Sequence, residues 1–261
     1  AFDLVVKLRE GAHHSGHWGG VLADPGFILA HALATIVTPK GRIRVPGWLP
    51  AAVPEAVREA CRALVLEDMP GLPEPDPDWG EPGLSPAERL FAWNTLEILA
   101  FEAGNPAAPA NAIPKRAHAH CQLRYVVGSD HTRFLDHLRR HLDRHGFEDI
   151  QVAPARVSQM AATRLDPEDP WVGWALASMQ VTSGKAPTLL PNLGGSLPND
   201  VFAETLGLPT LWVPHSYPAC SQHAPDEHLL GSVAREGLLL MAGLWWDLGT
   251  QGQDILKERS A

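Results

Sequence analysis

The sequence predicts an α/β protein in two parts, on three observations. Apolar and polar residues alternate over Phe2–Leu8 and again over Ala117–Tyr125, the period of strands with one buried face. Stripes of helical spacing run through Ile28–Val37 and Phe134–Leu142. Beyond Pro154, helical and extended stretches alternate in α/β fashion. The first two observations give the order β-α-β-β-α-β, a ferredoxin-like split unit with both helices on one face of an antiparallel sheet. We place it at residues 1–156, with an insertion over about 40–92, and read residues 157–261 as part of an α/β domain.

Each element has a local reason. In the first strand, Phe2, Leu4, Val6 and Leu8 alternate with Asp3, Lys7 and Arg9. Asp24-Pro25 supplies an N-cap and an N1 proline for the helix carrying Ile28, Leu29, Ala32, Leu33, Ile36 and Val37. Residues 41–46 suit a short strand, and Pro54 opens a helix striped with Val57, Ala60, Cys61, Leu64 and Val65. From Met69 to Pro86 the chain is rich in proline, glycine and acid, which predicts a surface excursion. Leu96, Ile98 and Ala100 alternate as in a strand, although the length from Pro86 onward also suits a helix. The next strand puts Ala117, Ala119, Cys121, Leu123 and Tyr125 on one face, and His118, His120, Gln122 and Arg124 on the other. Asp130 is placed to cap a helix that stops at Gly146, and Ile150–Val152 reads as a returning strand. In the second part the expected order is a helix over about Pro170–Gly184, the apolar Thr188–Leu190, a Gly194-Gly195 turn and a short helix. A strand over Pro209–Val213 and a long helix over Pro225–Asp247 complete it.

Composition narrows the function. The 261 residues are 45% apolar, enough for one large or two ordinary domains. The formal net charge of -9 leaves no basic footprint, which argues against nucleic acid or an anionic membrane as partner and for small-molecule work. No apolar run approaches a membrane span. Three scattered cysteines, Cys61, Cys121 and Cys220, lack a CxxC spacing and fit a reducing compartment, so a cytoplasmic location is expected. The chain opens on a strand pattern with no initiator methionine, as a piece of a longer protein would.

Chemistry concentrates in a few places. Glu10–Gly20 sets His13, His14 and His17 among four glycines directly after a strand, which presents imidazole in a loop. A mononuclear metal site on these three is one reading; a single substrate-facing histidine with solvated neighbours is another. Asn111 precedes the polar-faced strand, where an asparagine usually serves a turn. Arg124 lies on that strand's open face, either ion-paired or offering a carboxylate its planar fork. The amides of Gly194, Gly195 and Ser196 could meet an anion near a helix N-terminus. His223 stands at a strand-to-helix turn, with Asp226 and Glu227 as first-turn acids of the last helix. Covalent catalysis is poorly supported, since Ser15, Ser196 and Ser216 lack a Gly-x-Ser-x-Gly elbow and Cys220 lacks a cationic setting.

Six motifs in order carry a resemblance: His14–Gly20, Gly41–Gly47, Asn111–Pro114, Leu123-Arg124, Gly194–Pro198 and His223–Glu227. They resemble the dinuclear zinc metallopeptidases that include carnosinase-type dipeptidases, aminoacylase, acetylornithine deacetylase and succinyl-diaminopimelate desuccinylase. The resemblance implies that residues 1–156 are the lid domain through which subunits dimerise and that 157–261 are the C-terminal part of the catalytic α/β zinc-peptidase domain. It further implies that His14 reaches the partner subunit's site to stabilise an oxyanion. Asn111 and Arg124 would hold the substrate's backbone and carboxylate, Gly194, Gly195 and Ser196 would line its pocket, and His223 would be the last zinc ligand. Relatives often have Glu before the glycines, where this chain has Leu193.

The reaction so implied is cleavage of an amide in a small peptide or N-acylated amino acid by a zinc-activated water. The family's other ligands and its base glutamate find no counterpart in these residues, so the chain alone is expected to be inactive, without its two zinc ions. A non-catalytic dimerisation or ligand-binding module is the alternative.

Overall fold

The computed structural model describes residues 1–64, 74–155, 160–195 and 197–260. Two compact units emerge, Ala1–Ala52 with Asp76–Ser85 and Trp93–Ala161, and Val53–Pro75 with Pro86–Ala92 and Ala162–Ala261.

The first unit is built on a four-stranded sheet of β1 (Phe2–Lys7), β3 (Thr95–Ala103), β5 (Arg116–Arg124) and β6 (Gln151–Pro154). Its order is β3-β5-β1-β6 with every neighbouring pair antiparallel, as the split β-α-β-β-α-β reading requires. Register follows the apolar period: Phe2, Leu4 and Val6 face inward opposite Cys121, Ala119 and Ala117. A one-residue slip would put that whole set in water. Helices α2 (Pro25–Ile36) and α5 (Phe134–Arg144) cover this face, joining Leu29, Leu33, Ile36, Leu138 and Leu142 to the core. At the start of α2, Asp24 accepts the amides of Gly26 (2.7 Å) and Phe27 (3.4 Å), and Pro25 sits at N1.

Trp48 is wholly buried and donates its indole N–H to the Phe134 carbonyl at 2.9 Å. Asn94, also buried, donates to the Trp48 carbonyl (2.6 Å) and accepts the Val126 amide (2.8 Å), so the chain after residue 93 is fastened to the core by satisfied polar groups. Arg139 closes the far end of α5, donating to Asp143 and to the carbonyls of Phe147 and Ile150. All three cysteines are buried and free. Burial pushes the Cys121 thiol up to about 12. It also raises that of Cys61, with Glu88 adding to the effect.

In the second unit, α3 (Glu55–Arg62) and α4 (Pro86–Phe91) are joined by Arg58, which donates to the buried Glu88 at 2.8 Å. Helix α6 (Pro170–Ser183) begins at an Asp169 cap and ends at left-handed Gly184. It packs against α7 (Gly231–Ser260), where Gly243 lets Thr182 approach too closely for any Cβ.

Several local expectations change. Residues 41–46 contribute only an isolated bridge, Val37 to Ile43. Both readings around Leu96 hold in part, because α4 ends at Phe91 and β3 starts at Thr95. A bulge between Ile98 and Ala100 then breaks the alternation and leaves Ile98, Leu99 and Phe101 exposed. Asp130 accepts the Thr132 hydroxyl (2.6 Å) instead of capping α5, which is entered through a 3-10 turn. Val65 and most of the Met69–Pro86 excursion's start lie outside the described residues. Among the described residues no strand follows Pro154. Residues 209–213 are strand-like in sequence but pair with no strand among the described residues, and a lone strand leaves its backbone groups unsatisfied. The last helix starts at Gly231, after Pro225, and runs well past Asp247.

Candidate functional site

The histidine loop is held by a contact that no periodicity announces. His13–His14 form a two-residue strand, β2, antiparallel to Ala112–Ile113, β4, with His14 opposite Ala112. Ser15 extends the join, donating its amide (2.9 Å) and its hydroxyl (3.1 Å) to the Asn111 carbonyl. His14 and Asn111, far apart in sequence, are thereby neighbours. The chain then makes one helical turn, α1 (Ser15–Trp18), closed by the Gly19 amide on the Ser15 carbonyl at 2.8 Å.

This turn fixes the chemistry of the His14 ring. The Gly16 N–H donates to His14 Nδ1 at 3.1 Å. A backbone amide can only donate, so Nδ1 is the acceptor and the neutral imidazole carries its proton on Nε2. His14 therefore offers an N–H donor from the surface. His17 lies beside it, ring centroids 4.6 Å apart, and His13 meets Trp18 edge-on at 6.2 Å. His14, His17 and the Asn111 residue are exposed. The mononuclear metal reading of His13, His14 and His17 fails: among the described residues no group of three His, Cys, Asp or Glu is placed to hold an ion. With Nδ1 of His14 already engaged and neighbouring strand residues pointing to opposite faces, the three rings do not converge.

Arg124 ends β5 opposite Thr95, exposed on the open sheet face as its position in the alternation predicts. The same face holds a cluster that sequence reading left unassembled. Asp3 Oδ1 accepts from His118 Nε2 and His120 Nδ1, both at 2.8 Å. The hydrogen bond from His120, then that from His118, holds the Asp3 carboxyl below its usual range. His118 and His120 were legible on a polar face; only the β1–β5 register, Asp3 opposite His120, brings the carboxylate to them.

In the second unit, Gly194 and Gly195 lie in an irregular segment, and Ser196 lies outside the described residues. The short helix expected after the glycine pair is present, but Gly194 and Gly195 do not sit at its N-terminus. The next helical turn, Val201–Thr205, begins beyond Pro198, and Asp200 occupies the Val201 amide at 3.1 Å. Gly195 instead makes room for Trp212, whose ring carbon would sit 2.8 Å from any Cβ there. His223 is exposed in a turn where it (φ 62°), Ser221 (57°) and Asp226 (64°) all adopt positive φ. Left-handed backbone at three non-glycine residues is costly and is tolerated only where the surroundings impose it. Glu227 is not a first-turn acid of α7; its carboxylate accepts the His223 amide at 3.3 Å.

Comparison with known proteins gives a consistent picture. Residues 3–150 match the family model described as the peptidase dimerisation domain, M20_dimer. The fold is similar to that of an M20 family metallo-carboxypeptidase, Sso-CP2, from Sulfolobus solfataricus (20% identity, TM-score 0.76), covering 93% of this chain and 56% of that one. It is also similar to the di-peptidase Dug1p from Saccharomyces cerevisiae (19%, 0.71; 93% and 52%) and to human carnosine dipeptidase 1 (18%, 0.68; 93% and 53%). No curated protein matches the sequence. The chain thus spans about half the length of these solved relatives.

Proposed function

This chain belongs to the M20 peptidase dimerisation-domain family, and from that premise we propose that it is part of a metal-dependent amide hydrolase acting on a dipeptide or an N-acylated amino acid. In this reading residues 1–156 are the dimerisation lid and residues 157–261 the C-terminal part of the catalytic domain. The observation that carries it is the His14 tautomer. When water attacks an amide, negative charge grows on the carbonyl oxygen, and a preorganised donor aimed at that oxygen lowers the barrier. His14 supplies such a donor, Nε2–H, from a loop held at both ends: by β4 and by the Gly16 amide. Asn111, joined to the same loop, and Arg124 would orient the substrate, the latter through its anionic end.

The described residues do not fit a resident pair of zinc ions. His223 is one candidate ligand, and no described group of three accompanies it. No step through zinc follows from this chain, and by itself it is expected not to hydrolyse peptides. The second reading is a dimerisation or ligand-binding module without catalysis, and the match of residues 3–150 to a dimerisation-domain model is what favours it.

A homodimer through the first unit is part of the proposal. β3 is an edge strand, and Ile98, Leu99 and Phe101 stand exposed along it, an open ladder that a second copy could extend. Sedimentation should give a dimer at micromolar concentration, and a monomer would refute this. Among the described residues no helix is long and apolar enough to cross a membrane; the expected location is the cytoplasm, testable by fractionation.

The decisive experiment is His14→Ala in the complete metal-loaded protein. Loss of an oxyanion donor should lower kcat by roughly 100- to 1000-fold with KM little changed. An unchanged kcat would remove His14 from the chemistry.

A further inference from the structure

The role read for His14 raises the question of what holds its ring, and the inference below rests on that role. In the loop, Gly11 and Gly20 have φ of 75° and 79°, which accounts for glycine at both. Gly16 has no positive φ, so backbone conformation does not explain it. Space does. A Cβ on Gly16 would lie 2.9 Å from His14 Cε1 and 3.2 Å from Nδ1, inside the roughly 3.5–4.0 Å of a comfortable carbon contact. The amide of the same residue donates to that same Nδ1 at 3.1 Å. Gly16 therefore acts on the ring twice, through a donor it presents and a side chain it lacks.

We infer that Gly16 is the positioning residue of His14, fixing the imidazole as its Nε2–H tautomer and leaving it the space that any larger residue would take. The atoms a Cβ would meet belong to a side chain that can swing away, so Gly16→Ala moves the ring and spares the fold. Gly19 is the contrasting case, because its missing Cβ would lie 2.6 Å from the Ser15 carbonyl oxygen, which is backbone.

The test reads the tautomer directly, without substrate or metal. In the chain labelled with 15N-histidine and held at pH 8, long-range proton–nitrogen correlation should show His14 as a single Nε2–H species. His31 is the internal reference: its Nδ1 lies 3.1 Å from the Phe27 carbonyl, which only accepts, so it should show the opposite, Nδ1–H pattern. Gly16→Ala should convert His14 to the mixed pattern of an untethered histidine and leave His31, His118 and His120 unchanged. A mixed or Nδ1–H pattern for wild-type His14, or an unaltered pattern in Gly16→Ala, overturns the inference.

Should Gly16→Ala fail to fold, exchange of the Gly16 amide decides. His14→Ala should speed it by about tenfold, the equivalent of one ordinary hydrogen bond, and an unchanged rate overturns the inference equally. Because these readouts need no turnover, a normal kcat in His14→Ala would refute the catalytic reading while leaving the positioning result standing.

Discussion

The turns that carry His14 and His223 both offer a histidine to solvent, and they are built in opposite ways. The His14 loop is knitted to β4, its ring is fixed by a neighbouring amide, and its glycines stand where positive φ or close approach demands them. The His223 turn puts three non-glycine residues at positive φ in a unit with no described strand to brace it. The first is finished by contacts within its own unit. The second holds a strained conformation whose support is local: the Ser221 carbonyl accepts the Ala224 amide at 2.9 Å, and Glu227 accepts that of His223.

Breaking the first turn should have the largest effect. Gly19→Ala drives a methyl into the Ser15 carbonyl, which only a backbone shift relieves, at a cost of about 1–3 kcal/mol. Faster amide exchange of Ser15, which donates to Asn111, would report the loosened loop, and an unchanged rate would mean that the turn is not rigid. Relieving the second turn has the opposite sign. His223→Gly should stabilise, or at worst leave unchanged, the second unit, by at most about 1 kcal/mol, because left-handed strain removed slightly outweighs the entropy that glycine adds to the unfolded chain. Urea unfolding measures it, and clear destabilisation would show that the imidazole makes contacts that outweigh the backbone cost.

The smallest effect belongs to a third histidine setting, the open sheet face. Because Asp3 is held below its usual range by His120 and His118, its contribution is complete above the unfolded carboxylate value near 4 and is lost as pH falls through the depressed folded value. Asp3→Asn should therefore be slightly less stable than wild type at neutral pH and converge with it in acid. Parallel acid-unfolding curves, separated equally at every pH, would contradict this assignment.

Most of the first unit was legible. β1 and β5 alternate cleanly because one face is buried and the other wet, and α2 announces itself through Asp24-Pro25. The β2–β4 pair was not legible, since two residues carry no period and their partners lie far along the chain. The bulge in β3 hid the exposed run Ile98–Phe101 for the same reason: one extra residue cancels the alternation. In the second unit, apolar character at 209–213 suggested a strand, but a strand exists only with a neighbour, and sequence cannot say whether that neighbour is present. Pro225 marked a turn well ahead of α7 instead of a helix start, because the positive φ at Asp226 interrupts the helical path.

The cysteines have a consequence of a different kind. Cys121 faces the closed side of the sheet with its thiol pushed to about 12, Cys61 is raised as well, and Cys220 is enclosed. Burial holds the Cys121 and Cys61 thiols away from the thiolate that would exchange with glutathione or accept an alkylating reagent, and Cys220 is shielded by its enclosure. A cysteine introduced at Leu99, exposed where the three native cysteines are buried, would offer a maleimide an accessible thiol and anchor a probe on the β3 edge.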